Sequence, residues 1–146
     1  LGVVVFGNQS QELQSLLPFR VYPLPYIKDE HELVDIYNAV DIFVTPSLEE
    51  NLPNMIMEAM ACGVPCVGFN IGGIPEMIID GESGCLVQSG DSKALAECVE
   101  MLCDKDDIRI RYGVNFYERA KENFSSQAMA NTHKKIYEKI IKENVK

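Results

Sequence analysis

Short β-branched runs alternate with helix-patterned stretches along this chain, and that alternation limits its fold more than any other feature. Strand patterns run over residues 3–7, 20–24, 41–45, 65–69 and 85–87. Helix patterns run over 9–17, 29–38, 53–62, 74–79, 91–102, 106–123 and 126–143. Pro25 and Pro46 stop strands, Gly63 and Gly81 close helices, and Asp91 stands where an N-cap belongs. Strands alternating with helices are joined by crossovers, and crossovers make parallel neighbours. The expected fold is α/β: a doubly wound parallel sheet of about five strands with helices on both faces. Ligands of such sheets bind beyond the carboxyl ends of the strands. The loops of interest are therefore 7–10, 25–29, 46–54 and 70–75.

Composition narrows the partners. The chain has 146 residues, 47% of them apolar and 24% charged. That suits one globular domain over 1–146, long enough to bury a core without staples. The formal net charge is −9, which disfavours nucleic acid and anionic surfaces as partners. No apolar run approaches the ~18 residues of a membrane span. The chain begins inside a strand pattern with no basic lead-in, so no secretory leader is expected, and a fragment of a longer protein is. Cys62, Cys66, Cys85, Cys98 and Cys103 are odd in number and form no CxxC pair. They read as reduced core thiols of a cytoplasmic protein. The only histidines, His31 and His133, have no nucleophile at a recognisable spacing and read as surface residues. No metal site is expected.

Residues 51–75 hold one charged side chain, Glu58. It stands among Met55, Ile56, Met57, Ala59, Met60, Ala61 and Cys62, so its helix reads as apolar nearly all round and hence buried. A carboxylate there costs several kcal/mol unless partnered. Its partner is either a neighbouring loop or the hydroxyls of a ligand such as a ribose. Glu50 lies eight residues earlier, in the loop expected at the carboxyl end of strand 41–45. Pro53 suits the first helical turn. The amides of Asn51, Leu52 and Asn54 would then leave the helix N-terminus towards the cleft, an arrangement that holds phosphate or diphosphate. Gly72-Gly73 reads as a turn, Glu76 as a capping residue, and Gly7-Asn8 as a weak phosphate-loop signal.

Glu50-x7-Glu58, set in PSLEENLPNMIMEAMACGVPCV, resembles the EX7E signature of retaining family-4 glycosyltransferases of the GT-B type. GFNIGGIPEMIIDGESGCLV and SGDSKALAECVEML continue the likeness, and YIKDEHELVDIYNAVDIFVTPS precedes it. The resemblance covers essentially the whole chain and implies the Rossmann-like C-terminal half of such an enzyme, with the N-terminal acceptor domain absent. It implies transfer of a hexose or derivative from a nucleoside diphosphate sugar to a hydroxyl, in cell-surface polysaccharide or glycolipid synthesis. No cofactor or metal is implied. By the family pattern Glu58 takes the ribose hydroxyls and Glu50, assigned as catalytic, contacts the donor sugar. Asn51, Leu52 and Asn54 lie near sugar and diphosphate. Tyr26 and Ile27 border the base, and Gly7 belongs to the first donor loop. Cytoplasmic location follows, with any contact at the inner membrane face made peripherally through the absent domain. The fragment alone is expected to be inactive.

Three departures stand out. Asn51-Leu52 replaces a common Gly-Phe, and Asn tolerates positive φ better than most residues. Pro25 replaces a Gly and removes a backbone donor. The family's diphosphate-neutralising Arg and Lys lie upstream of the first strand. The competing readings are a GT-B-shaped nucleotide-sugar epimerase and a stand-alone nucleotide-binding module.

Overall fold

The computed structural model describes residues 1–6 and 16–144. The chain divides into two compact units, Leu1–Val40 and Asp41–Lys146. In the first, strands β1 (Gly2–Phe6) and β2 (Arg20–Leu24) pair in parallel, with Gly2 opposite Arg20 and Phe6 opposite Leu24. Helix α1 (Glu30–Asn38) follows. Asp29 caps it, one carboxylate oxygen accepting from the amides of His31 and Glu32 at 3.0 Å each. Glu30 and Glu32 in its first turn complement the helix dipole. Most of the expected helix over 9–17 lies outside the described residues.

The second unit is built on three parallel strands in the order β3 (Phe43–Thr45), β4 (Cys66–Phe69), β5 (Gly84–Val87). Phe43 pairs with Cys66 and Thr45 with Gly68, then Cys66 with Gly84 and Phe69 with Val87. Every residue of the central strand β4 is buried. A strand buried throughout has both faces covered, which is why this segment shows no polar alternation. The crossovers are α2 (Asn54–Ala61) between β3 and β4 and the short α3 (Ile74–Met77) between β4 and β5. Helices α4 (Ser92–Asp104) and α5 (Asp106–Arg119) follow, then a π-helical turn (Ala120–Phe124) and α6 (Ser126–Asn144). Within each unit the strands pair in parallel, as the sequence predicts, two in the first and three in the second.

Val67 and Cys85 of the sheet join Leu102 of α4 and Tyr112 of α5 in one apolar cluster, with Leu95, Val99 and Ile108 against it. Ile56 and Met60 of α2, Ile74 and Met77 of α3 and Phe116 of α5 are fully buried as well. Two expectations need correction. Helix α2 buries one face only, since Met55 is 42% exposed. Its apolar residues at 56, 59 and 60 face inward at helical spacing, and the remaining methionines made the whole segment read as core. The helix expected over 106–123 stays α-helical only to Arg119. A π turn takes in an extra residue, which a 3.6-residue sequence period does not reveal.

Candidate functional site

Because β3 and β4 run parallel as neighbours, the loops leaving their carboxyl ends lie side by side. Between them opens a cleft of about 590 Å³, lined by Leu48, Glu49, Glu50 and Asn51 from one loop and Ile71 and Gly72 from the other. Thr45, at the end of β3, is buried, and its hydroxyl bonds that of Ser47 at 3.4 Å. The loop therefore leaves the sheet from a fixed base. Among the described residues neither Glu49 nor Glu50 has an ion-pair partner. Glu50 is half-buried and Glu49 exposed. The cleft thus presents carboxylates that pair with no cation among the described residues.

Pro53 is the N-cap of α2, and no side chain caps that helix end. Among the described residues the N–H groups of Asn51, Leu52 and Asn54 donate to no protein acceptor. Orphan amides at a helix start are anion donors. Two carboxylates and a row of free amides in one loop suit a ligand with both hydroxyls and phosphate. Asn51 reaches its place without a left-handed backbone, since no described non-glycine residue has positive φ.

Glu58 sits in the middle of α2, half-buried rather than buried as expected. The helix bares one side, and Glu58 lies at its margin. Its negative charge is felt by Cys62, whose thiol pKa is raised first by burial and then by Glu58. Glu58 does not line the cleft around Glu50. Tyr26 and Ile27 follow β2 in the other unit, Tyr26 exposed and Ile27 half-buried. Gly7 lies outside the described residues. The structure therefore brings Glu50 and Asn51 together around the cleft and places Leu52, Asn54 and Glu58 along the same loop and helix.

The sequence reading took Gly72-Gly73 for a turn in a loop at the ligand edge, and the structure adds the backbone contact it makes there. The amide of Gly73 donates to the carbonyl of Asn51 at 2.7 Å. A Cβ on Gly72 would overlap the carbonyl oxygen of Glu50, and one on Gly73 that of Asn51. The adjacent glycines after a fully apolar strand were the available signal. Glu76 makes no capping bond among the described residues; the cap of α3 is Gly73, with no side-chain hydrogen bond. His31 and His133 are exposed, as expected. Cys66 and Cys85 are buried thiols, but Cys103 is exposed, a departure from the core reading. No group of three or more His, Cys, Asp or Glu among the described residues is placed to hold a metal ion. No described helix is long and apolar enough to cross a membrane.

Loops at a parallel sheet's carboxyl edge are where α/β folds bind their ligands, and comparison with known proteins gives the family. The profile of the family Glycosyl transferases group 1 matches residues 1–105. The chain belongs to that family. It is 33% identical over 118 residues to the capsular polysaccharide biosynthesis glycosyltransferase CapM of Staphylococcus aureus, covering 81% of this chain and 31% of that protein. It is 40% identical over 106 residues to D-inositol 3-phosphate glycosyltransferase of Corynebacterium efficiens, covering 73% of this chain and 25% of that protein. The chain thus spans between a quarter and a third of the length of these relatives. Sucrose-phosphate synthase of Thermosynechococcus elongatus superposes with a TM-score of 0.81 at 26% identity, over 99% of this chain and 39% of that one. HepE of Anabaena, solved with UDP, superposes with a TM-score of 0.76 at 23% identity, over 92% of this chain and 41% of that one. The fold is that of one Rossmann-like half of a GT-B glycosyltransferase.

Proposed function

We propose that this chain is the donor-binding, C-terminal half of a retaining glycosyltransferase. The enzyme moves a hexose or derivative from a nucleoside diphosphate sugar to a hydroxyl acceptor. The observation that carries the reading is the cleft in which Glu50 and Asn51 face Gly72, at the carboxyl edge of β3 and β4. Membership of the glycosyltransferase group 1 family supports it. So does the ligand of HepE, which was solved with UDP and with UDP-glucose.

In this reading the orphan amides of Asn51, Leu52 and Asn54 hold the diphosphate. Glu58 accepts from the ribose hydroxyls and Glu50 from the hexose hydroxyls. The leaving diphosphate assists the incoming hydroxyl on the same face of the sugar, so no protein carboxylate acts as nucleophile. The chain's part is to hold the anomeric carbon facing the acceptor and to spread the charge that develops on the diphosphate. No metal or cofactor enters the scheme. The acceptor domain belongs to the rest of the protein. A role in cell-surface polysaccharide synthesis is supported by the likeness to CapM.

Titration calorimetry of the full-length protein with UDP, GDP, ADP and dTDP and with their sugars tests the first step. Binding of at least one diphosphate and its sugar is expected; binding of none removes the reading. Proton NMR of the product tests the second, since retention and inversion give different anomeric couplings. An inverted product would leave the donor site standing and remove the retaining mechanism.

A further inference from the structure

We propose that Gly72 and Gly73 are positioning residues whose backbone sets the place of Glu50 in the cleft and so governs which donor sugar is held productively. This rests on the donor-site reading given above. The β4–α3 loop lies directly against the β3–α2 loop. Gly73 donates its amide to the Asn51 carbonyl at 2.7 Å, and the Glu50 carbonyl occupies the space where a Gly72 side chain would start. Two successive carbonyls of the acidic loop are therefore seated on two successive glycines. The seat is itself fixed: Gly73 caps α3, and α3 holds the fully buried Ile74 and Met77. A side chain at either glycine lifts the acidic loop away from the sheet. The Glu50 carboxylate moves with its own backbone, whereas Glu58, just over one turn into a helix packed on the core, does not.

The two glycines separate the possible causes. Gly73 has φ −88°, a conformation open to any residue, so Gly73→Ala tests close approach alone. Gly72 has φ +51°, so Gly72→Ala adds backbone strain to the overlap. Gly90 has φ +82° with nothing within 4 Å of a Cβ, so Gly90→Ala supplies the strain without the overlap.

The experiment uses the full-length protein with UDP, GDP, ADP and dTDP and their sugars as probes. Affinities are read by calorimetry, donor turnover by release of the diphosphate, and folding by thermal melting. Gly73→Ala is expected to weaken the free diphosphate only about threefold, since the Asn51 and Leu52 amides move with the loop while Asn54 and Glu58, on the helix, stay in place. It should weaken the intact sugar donor about tenfold and turnover about a hundredfold, the scale of a 1 Å misplacement. Gly72→Ala should do the same, and Gly90→Ala should change none of the three. The proposal is overturned if Gly73→Ala leaves sugar-donor affinity and turnover intact. It is also overturned if free diphosphate and sugar donor weaken equally, or if the variant melts the whole domain, since the glycines then serve the fold and not the acid. A wild-type protein that binds no probe sinks the donor-site reading itself.

Discussion

The guanidinium of Arg119 holds the carbonyl of Met77 across 42 residues of sequence, Nε donating at 2.8 Å. Its second arm donates to the Glu76 carbonyl at 2.6 Å. These are two of the last carbonyls of α3, which a helix of four residues cannot satisfy internally. Arg119 thus caps α3 from the end of α5, and α3 in turn begins at the glycines that seat the acidic loop.

Arg119→Ala is therefore expected to destabilise the domain by about 2 kcal/mol, the scale of hydrogen bonds from a charged group. Arg119→Lys should recover less than half of that, because an ammonium lacks the planar fork that spans both carbonyls. Urea unfolding checks this through the transition midpoint at unchanged slope. An Arg119→Lys protein as stable as the wild type would show that the fork is not what holds α3.

Glu58→Gln in the full-length protein is expected to weaken free diphosphate binding about tenfold to a hundredfold, with little change in melting. A hydrogen bond to a charged acceptor contributes roughly 1.5–3 kcal/mol. The substitution has a second readout. Burial raises the Cys62 thiol pKa first and the Glu58 charge raises it further. Removing that charge should lower the Cys62 pKa and speed its alkylation at mildly alkaline pH. Faster alkylation with unchanged diphosphate affinity would leave Glu58 a structural residue.

The buried thiols give the domain an alkaline limit. Cys66 lies fully buried in β4, and burial pushes its pKa well above the ordinary 9.0, with Cys85 adding to it. Cys85 is pushed up to about 12 by burial, then by Cys98 beside it. Both groups are neutral when protonated, and their folded pKa values exceed the unfolded ones. Between those values the unfolded chain has released protons that the folded chain retains, so stability falls as pH rises. The loss begins near pH 9.0 and continues through the folded values. Urea midpoints measured from pH 7 to 11 should decline, and Cys66→Ala should flatten the decline. A slope unchanged in Cys66→Ala would assign the alkaline loss to other groups.

The parallel α/β plan was legible because its signals are local. Pro25, Pro46 and Gly63 punctuate the chain, Asp29 and Asp91 cap helices, and β4 is apolar at every position because both its faces are covered. Glu50 was legible through its place after a strand and before a Pro-initiated helix. The seat beneath it was not, because Asn51 and Gly73 meet across 22 positions and through backbone atoms, which leave no side-chain pattern. Arg119 escaped notice for the same reason: its partners are carbonyls, and a carbonyl has no residue type. The degree of burial of Glu58 was overstated because the methionines flanking it tolerate both core and surface.

Glu50 is expected to serve the sugar and not the nucleotide. It lies in the loop ahead of the helix start, where the amides of Asn51, Leu52 and Asn54 meet no protein acceptor among the described residues, while Glu58 lies further along α2. One ligand spanning both acids sets its diphosphate between them, ribose towards Glu58 and hexose towards Glu50. Glu50→Ala should therefore leave the affinity for free diphosphate within about threefold, since no amide is lost. It should reduce turnover about a hundredfold, because a hexose without its anchoring acceptor loses the orientation on which transfer depends. The check is a pair of titrations, one with the nucleoside diphosphate and one with its sugar, beside a turnover assay. Equal weakening in both titrations would show that Glu50 supports the diphosphate as well, and that the two acids do not divide the donor between them.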